Sequence, residues 1–148
     1  MTDFRLTTTA FKKGEPIPNA YGKAHRNVNP PLRIEGVPRN AKSLALIVDD
    51  PDAPSGTFAH WLVWNLPPDA ESIPEGWEPP TTVRQGTNDF GNVGYDGPKP
   101  PTEHTYRFTL YALDTTLDLS NGASRQGLVG AMDGHVASKT RLTGPFAP

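Results

Sequence analysis

Two nearly continuous apolar runs, SLALIVDD over Ser43–Asp50 and HWLVWNL over His60–Leu66, dominate the hydropathy of the chain. Both are too short for ordinary helices and rich in Val, Ile and Trp, which predicts central strands covered on both faces. Elsewhere the pattern alternates. FRLTTTAF (Phe4–Phe11) sets Phe4, Leu6 and Thr8 against Arg5, Thr7 and Thr9, as a half-buried strand requires, and PPLRIEGVP repeats this with Leu32 and Ile34 on one side. TYRFTLYALD (Thr105–Asp114) alternates most clearly, with Tyr106, Phe108, Leu110 and Ala112 on one face and Arg107, Thr109, Tyr111 and Leu113 on the other. VASKTRLTG predicts a closing strand. The helix candidate is SRQGLVGAMDGH (Ser124–His135): Ser124 can cap it, Leu128 and Met132 fall four apart, and Gly134 can end it. The pattern predicts a mainly β protein, an antiparallel β-sandwich with one or two short helices.

Pro 17 and Gly 14 reinforce loops and strands over helices, and many of them fall in the irregular stretch from Pro67 to Pro101. So long a segment inside a compact domain is usually functional. The 148 residues suit one domain, long enough to bury about two thirds of its unfolded surface. A net charge of -2 with no basic stripe excludes the electrostatic footprint of a nucleic-acid binder. The absence of cysteine excludes disulfides and thiolate metal sites and fits a reducing cytoplasm. No secretory-type start and no run of about 18 apolar residues is present, so a soluble cytoplasmic protein without stable membrane insertion is expected.

Chemistry concentrates at three places. In DDPDAP the prolines restrict Asp50 and Ala53 to extended backbone, so Asp50 leaves its strand in a fixed direction. Asp50 and Asp52 can equally serve to close turns through their own backbone, and a cis Ala53–Pro54 bond is open to the sequence. His60 heads the next apolar run. Antiparallel neighbours joined by so short a turn place Asp50 and His60 at one end of the sheet, where carboxylate and imidazole can share a proton, although a hydrogen-bonded core histidine fits the same position. The third place is GYDGPKPPTEHTYRF, where Gly94 and Gly97 leave backbone N–H groups approachable and His104 and Tyr106 share one face of a strand. Structural roles for His104 and Tyr106 remain open on spacing alone.

DDPDAP, then HW opening an apolar strand that ends in Asn, then GYDGPKPP followed by HTYRFTLYALD, together resemble the phosphatidylethanolamine-binding protein family, in particular its short bacterial branch, often labelled Raf kinase inhibitor-like. The similarity runs from about Val28 to Pro145. It implies a β-sandwich with a small surface cavity for phosphate-like anions, including the phosphoethanolamine head group. By that resemblance the ligand-binding residues are Asp50, His60, Tyr95, Gly97, Pro98, His104 and Tyr106, with Asp52 bracing the turn. The chain departs from the family in its shortened TEHTYR approach and in ending at Pro-Phe-Ala-Pro without an extended helix, which implies a more open mouth. The resemblance also implies a kinase or protease partner, for which PEGWEPP around Trp77 could form a face, and a homodimer.

Function is therefore expected to be binding without catalysis, with no cofactor. A carboxylate beside an oxyanion needs a proton or a cation between them. Asp50 would meet a protonated phosphate oxygen or an ammonium, His60 would donate to the oxyanion, Tyr106 would add a hydroxyl or ring wall, and Lys99 could lend charge at the rim. Two alternatives use the same residues: a hydrolase-like enzyme with Asp50 as base, His60 or His104 as acid and glycine N–H groups as oxyanion hole, and a divalent metal site of Asp50, His60 and His104.

Overall fold

Eight strands and one helix follow one another in a computed structural model that describes residues 3–148. In order they are β1 (Arg5–Thr7), a short 3-10 turn at Asn19–Tyr21, β2 (Leu32–Glu35), β3 (Ser43–Asp50), β4 (Phe58–Leu66), β5 (Ser72–Ile73), β6 (Arg84–Gln85), β7 (His104–Leu113), α1 (Arg125–Met132) and β8 (Val136–Phe146). They form a small sheet of order β1-β2-β5 and a large one of order β6-β4-β3-β7-β8. Every pairing is antiparallel. The fold is the mainly β sandwich that the alternation predicts.

The apolar runs occupy the middle because both faces of β3 and β4 are covered. Leu44, Leu46, Val48, Trp61 and Val63 point inward and meet Leu6 and Ile34 of the small sheet, while Phe108 and Leu110 of β7 complete this inner core. Ala45, Ile47, Leu62 and Trp64 point outward and are covered by Leu128 and Met132 of α1. Each such buried side chain contributes roughly 1.5–3 kcal/mol. The helix begins as expected, the Ser124 side chain accepting from Gly127 N at 3.1 Å, and Gly134 follows it at φ 82°.

One expectation is corrected here. The first strand covers Arg5–Thr7 rather than Phe4–Phe11. Thr8 Oγ1 donates to Pro31 O at 2.5 Å and accepts from Ala10 N at 3.1 Å, so a side chain takes over the backbone's partners and turns the chain. Trp77 is half-buried, its ring 6.4 Å from that of Trp61, while Glu75, Gly76, Glu78 and Pro80 around it are exposed. No cis peptide bond occurs among the described residues, so Ala53–Pro54 is trans.

β4 carries one extra residue at two points. Val48 pairs with Trp61 but Asp49 with Ala59, leaving His60 unpaired; Leu44 pairs with Leu66 but Leu46 with Val63. Each is a β-bulge, which bends the strand and re-aims a side chain. Asn65, in the second, has φ 59°, and its side chain donates to Leu117 O at 2.9 Å and accepts from Leu117 N at 2.8 Å. Asn65→Ala is expected to cost about 2–4 kcal/mol, from both lost hydrogen bonds and the left-handed backbone. Urea unfolding checks this, and a loss below about 1 kcal/mol would mean that the bulge rearranges at little cost.

Candidate functional site

Where β3 ends and β4 and β7 begin, the inner face of the large sheet opens into a hollow of about 190 Å³ that Asp50, His60, His104 and Tyr106 line. The first bulge brings His60 there. In a regular strand His60 would share the outer face with Leu62 and Trp64; instead Ala59 lies in the outer core and Trp61 in the inner one although they are two apart. The extra residue turns the imidazole inward, beside Asp50.

The carboxylate's imidazole partner is nevertheless His104. His104 Nδ1 lies 2.6 Å from Asp50 Oδ2, whereas His60 Nδ1 lies 2.8 Å from the Asp96 carbonyl oxygen. The expected Asp50–His60 proton-sharing pair is thereby corrected. A carbonyl can only accept, so His60 Nδ1 carries the hydrogen and, in the neutral ring, Nε2 is a lone-pair acceptor. Burial holds the His60 pKa below its usual value, the Asp96 carbonyl and the Asp50 charge opposing it in lesser degree. Phe58, Phe90 and Tyr106 supply that burial, their ring centroids 5.1, 5.6 and 5.2 Å from the imidazole. His60 is thus a neutral acceptor near neutral pH, not the donor expected from its residue type. Desolvation, followed by the Asp50 charge, raises the Tyr106 hydroxyl pKa, so that group stays protonated and can donate.

The three acids of DDPD separate by role. Asp49 faces the other side of the sheet and is clamped by Arg107 Nε at 2.8 Å and Arg125 Nε at 3.2 Å. Asp50 enters the hollow and also accepts from Asp52 N at 2.8 Å. Asp52 is exposed and does not line the hollow; its carboxylate receives Thr105 N at 3.0 Å and ties the turn to the start of β7.

Tyr95, Gly97 and Pro98 lie outside the lining. The Tyr95 hydroxyl donates to Tyr21 O at 2.8 Å, Gly97 N donates to Asn27 Oδ1 at 2.7 Å, and Pro98 O accepts from Lys23 N at 3.0 Å. Gly94 N donates to Gly86 O at 3.3 Å. The glycine N–H groups are therefore spent within the protein, and the expected oxyanion cradle is not formed. The loop supports the site from behind.

Asp96 anchors that support. Its carboxylate accepts from Asn27 at 2.8 Å, Asn88 at 2.9 Å and Asn92 at 2.8 Å, with Lys23 Nζ at 3.6 Å. Burial works to raise its pKa, but the three amides and Lys23 outweigh that and hold it below the usual carboxylate value. Its backbone N–H meets His60 O at 3.1 Å while its own carbonyl fixes the ring. Sequence reasoning picked out the Tyr95 to Pro98 loop that carries this residue but not its anchoring role, and it missed Phe58 and Phe90; a phenylalanine in the polar GTNDFGNVG was the one available signal. Lys99 is exposed at the rim, as expected.

Among the described residues no three His, Asp or Glu side chains converge to hold a metal ion, so the three-ligand cluster considered above is not formed. A larger groove of about 910 Å³ runs beside β2 and β5, but it has no histidine or tyrosine and its Arg33 and Glu35 pair at 3.2 Å. Chemistry favours the smaller hollow.

A two-sheet antiparallel sandwich with an acid, two imidazoles and a tyrosine gathered at one end is a defined structural class. The family model for phosphatidylethanolamine-binding protein matches residues 7–147, and the chain belongs to that family. A UPF0098 protein of Pyrococcus abyssi is 51% identical over 148 residues, covering 94% of this chain and 83% of the relative. A UPF0098 protein of Chlamydia trachomatis is 41% identical, covering 96% and 97%. The crystal structure of a putative phosphatidylethanolamine-binding protein homolog from Chlamydia trachomatis superposes with TM-score 0.92 at 40% identity, covering 98% of this chain and 97% of its own. Escherichia coli YbcL, described as a new member of the mammalian family, gives TM-score 0.93 at 29% identity, covering 99% of each chain.

Proposed function

We propose that the hollow binds small phosphate-bearing or other anionic ligands, phosphoethanolamine among them, without turning them over. The observation that carries this reading is the paired Asp50–His104 dyad facing a neutral, acceptor-state His60 across one hollow. That set suits a ligand oxygen that brings its own proton: the proton goes to His60 Nε2, and the Tyr106 hydroxyl donates to a remaining oxygen, while His104 holds the Asp50 carboxylate in place. Phe58, Phe90 and the prolines at 54, 100 and 101 form an apolar wall that keeps water from competing.

The same geometry argues against turnover. Ser55 lines the hollow, but its hydroxyl makes no hydrogen bond to either histidine among the described residues, and the Gly94 and Gly97 N–H groups that could have met a developing oxyanion are engaged within the protein. Calorimetric titration of phosphoethanolamine is expected to show binding that weakens at least about tenfold in Tyr106→Phe and His60→Ala, with the ligand recovered intact by phosphorus NMR. Undiminished binding in both variants, or release of inorganic phosphate by the wild type and not by His60→Ala, would remove the proposal.

A further inference from the structure

A second basic feature lies away from the hollow. Between the segment from Arg5 to Lys13 and the middle of β8 runs a groove of about 430 Å³, with Arg5, Lys12, Lys13 and Arg141 on its walls and no acidic residue in its lining. None of these cations forms an ion pair among the described residues. Its floor is apolar, made of the buried Leu6, Phe11 and Leu142. In a chain of net charge -2 such a concentration of unpaired positive charge is not a matter of composition.

The groove also adjoins an open sheet edge. β8 is the last strand of the large sheet. Gly14 N donates to Thr143 O and Ile17 N to Pro145 O, both at 2.9 Å, so residues 14–17 cover its far end and show that odd-numbered residues there point their peptide groups away from β7. By the strand's alternation the peptide groups of Lys139 and Arg141 point the same way, and none of them has a backbone partner among the described residues. An exposed edge of this kind accepts an added strand.

We infer that β8 and this groove form a docking site for an extended acidic peptide, which adds as a strand against Lys139 and Arg141 and sets its carboxylates among Arg5, Lys12, Lys13 and Arg141. A small anion has no use for the open edge, and a lipid surface would be met by cations on a flat face, whereas these rim a groove. The alternation of an added strand places every second side chain toward the cations, which selects acidic residues at alternate positions. The site is independent of the hollow.

A short capped peptide of alternating Glu and Val tests this by fluorescence anisotropy, with a Lys and Val peptide as its counterpart. The acidic peptide is expected to bind, to weaken as salt rises, and to protect the Lys139 and Arg141 amides from hydrogen exchange. The double variant Lys12→Glu with Arg141→Glu should weaken it by about tenfold or more. Lys139→Pro should weaken it further than Lys139→Gln, which removes the same charge but keeps the N–H. Phosphoethanolamine binding should be unchanged in all of these, so the outcome is separate from that for the hollow. The inference is overturned if neither peptide binds, if both bind alike, if Lys139→Pro matches Lys139→Gln, or if anionic phosphatidylglycerol vesicles bind through the groove while the acidic peptide does not.

Discussion

Replacing Gly97 by alanine is expected to destabilise the protein by more than about 4 kcal/mol. A β-carbon at Gly97 would overlap the Tyr21 carbonyl and come within 3.1 Å of the Gly22 carbonyl carbon, so it meets backbone rather than the end of a flexible side chain. The carbonyl has little freedom to withdraw, because it accepts the Tyr95 hydroxyl at 2.8 Å. Gly97 N and Asn27 Oδ1, at 2.7 Å, hold the loop from the other side. Any outward shift must therefore also pull Asp96 from the His60 ring. Gly130→Ala in α1 is the matched control: nothing lies within 4 Å of its added carbon, and a gain of up to about 1 kcal/mol is expected there. Thermal unfolding of both variants decides the matter, and near-equal midpoints would show that the loop is not docked as described.

The second large effect is on ligand affinity. Phosphate monoester binding is expected to weaken by about 100-fold between pH 5 and pH 8, the fall in the monoanion above its second ionisation near 6. The protein pushes in the same direction. Because the His60 pKa is depressed, the ring is neutral over most of this range, and in that state Nε2 accepts a proton-bearing oxygen and repels a bare one. His60→Gln, whose amide can donate as well as accept, should flatten the profile. Calorimetry across this range is the measurement. Affinity that is level or climbs with pH would mean that the hollow takes the dianion and that His60 is not the acceptor.

The depressed histidine also links the site to stability. Its neutral form is favoured by folding, so its contribution is full above the unfolded value of about 6.5 and is lost as pH falls through the lower folded value. The wild-type unfolding midpoint should accordingly drop faster below pH 6 than that of His60→Gln.

Much of this arrangement was legible in the residues because alternation reports directly on which face is buried. Tyr106, Phe108, Leu110 and Ala112 fall in the inner core just as their spacing places them. Ser43–Asp50 and the Ser124 cap were legible for the same reason: local pattern and local hydrogen bonding decide them. The partner of Asp50 was not. Choosing between His60 and His104 depends on a bulge, and in HWLVWNL a bulge is silent, since a run covered on both faces loses its parity signal. The loop from Tyr95 to Pro98 misled for a related reason. Glycines there suggest an approachable backbone, yet Gly97 is small because another backbone already lies against it. Nor could spacing anticipate that amides from positions 27, 88 and 92 would meet on one carboxylate.

The unpaired position at His60 also bears on how such a hollow can be gained or lost. A neighbouring lineage that trimmed one amino acid from the opening of β4 would keep every side chain named here and still present its imidazole to the helix-covered side. Counting matters as much as identity: a histidine in this place marks a working cup only when the strand that bears it carries an extra residue at that point.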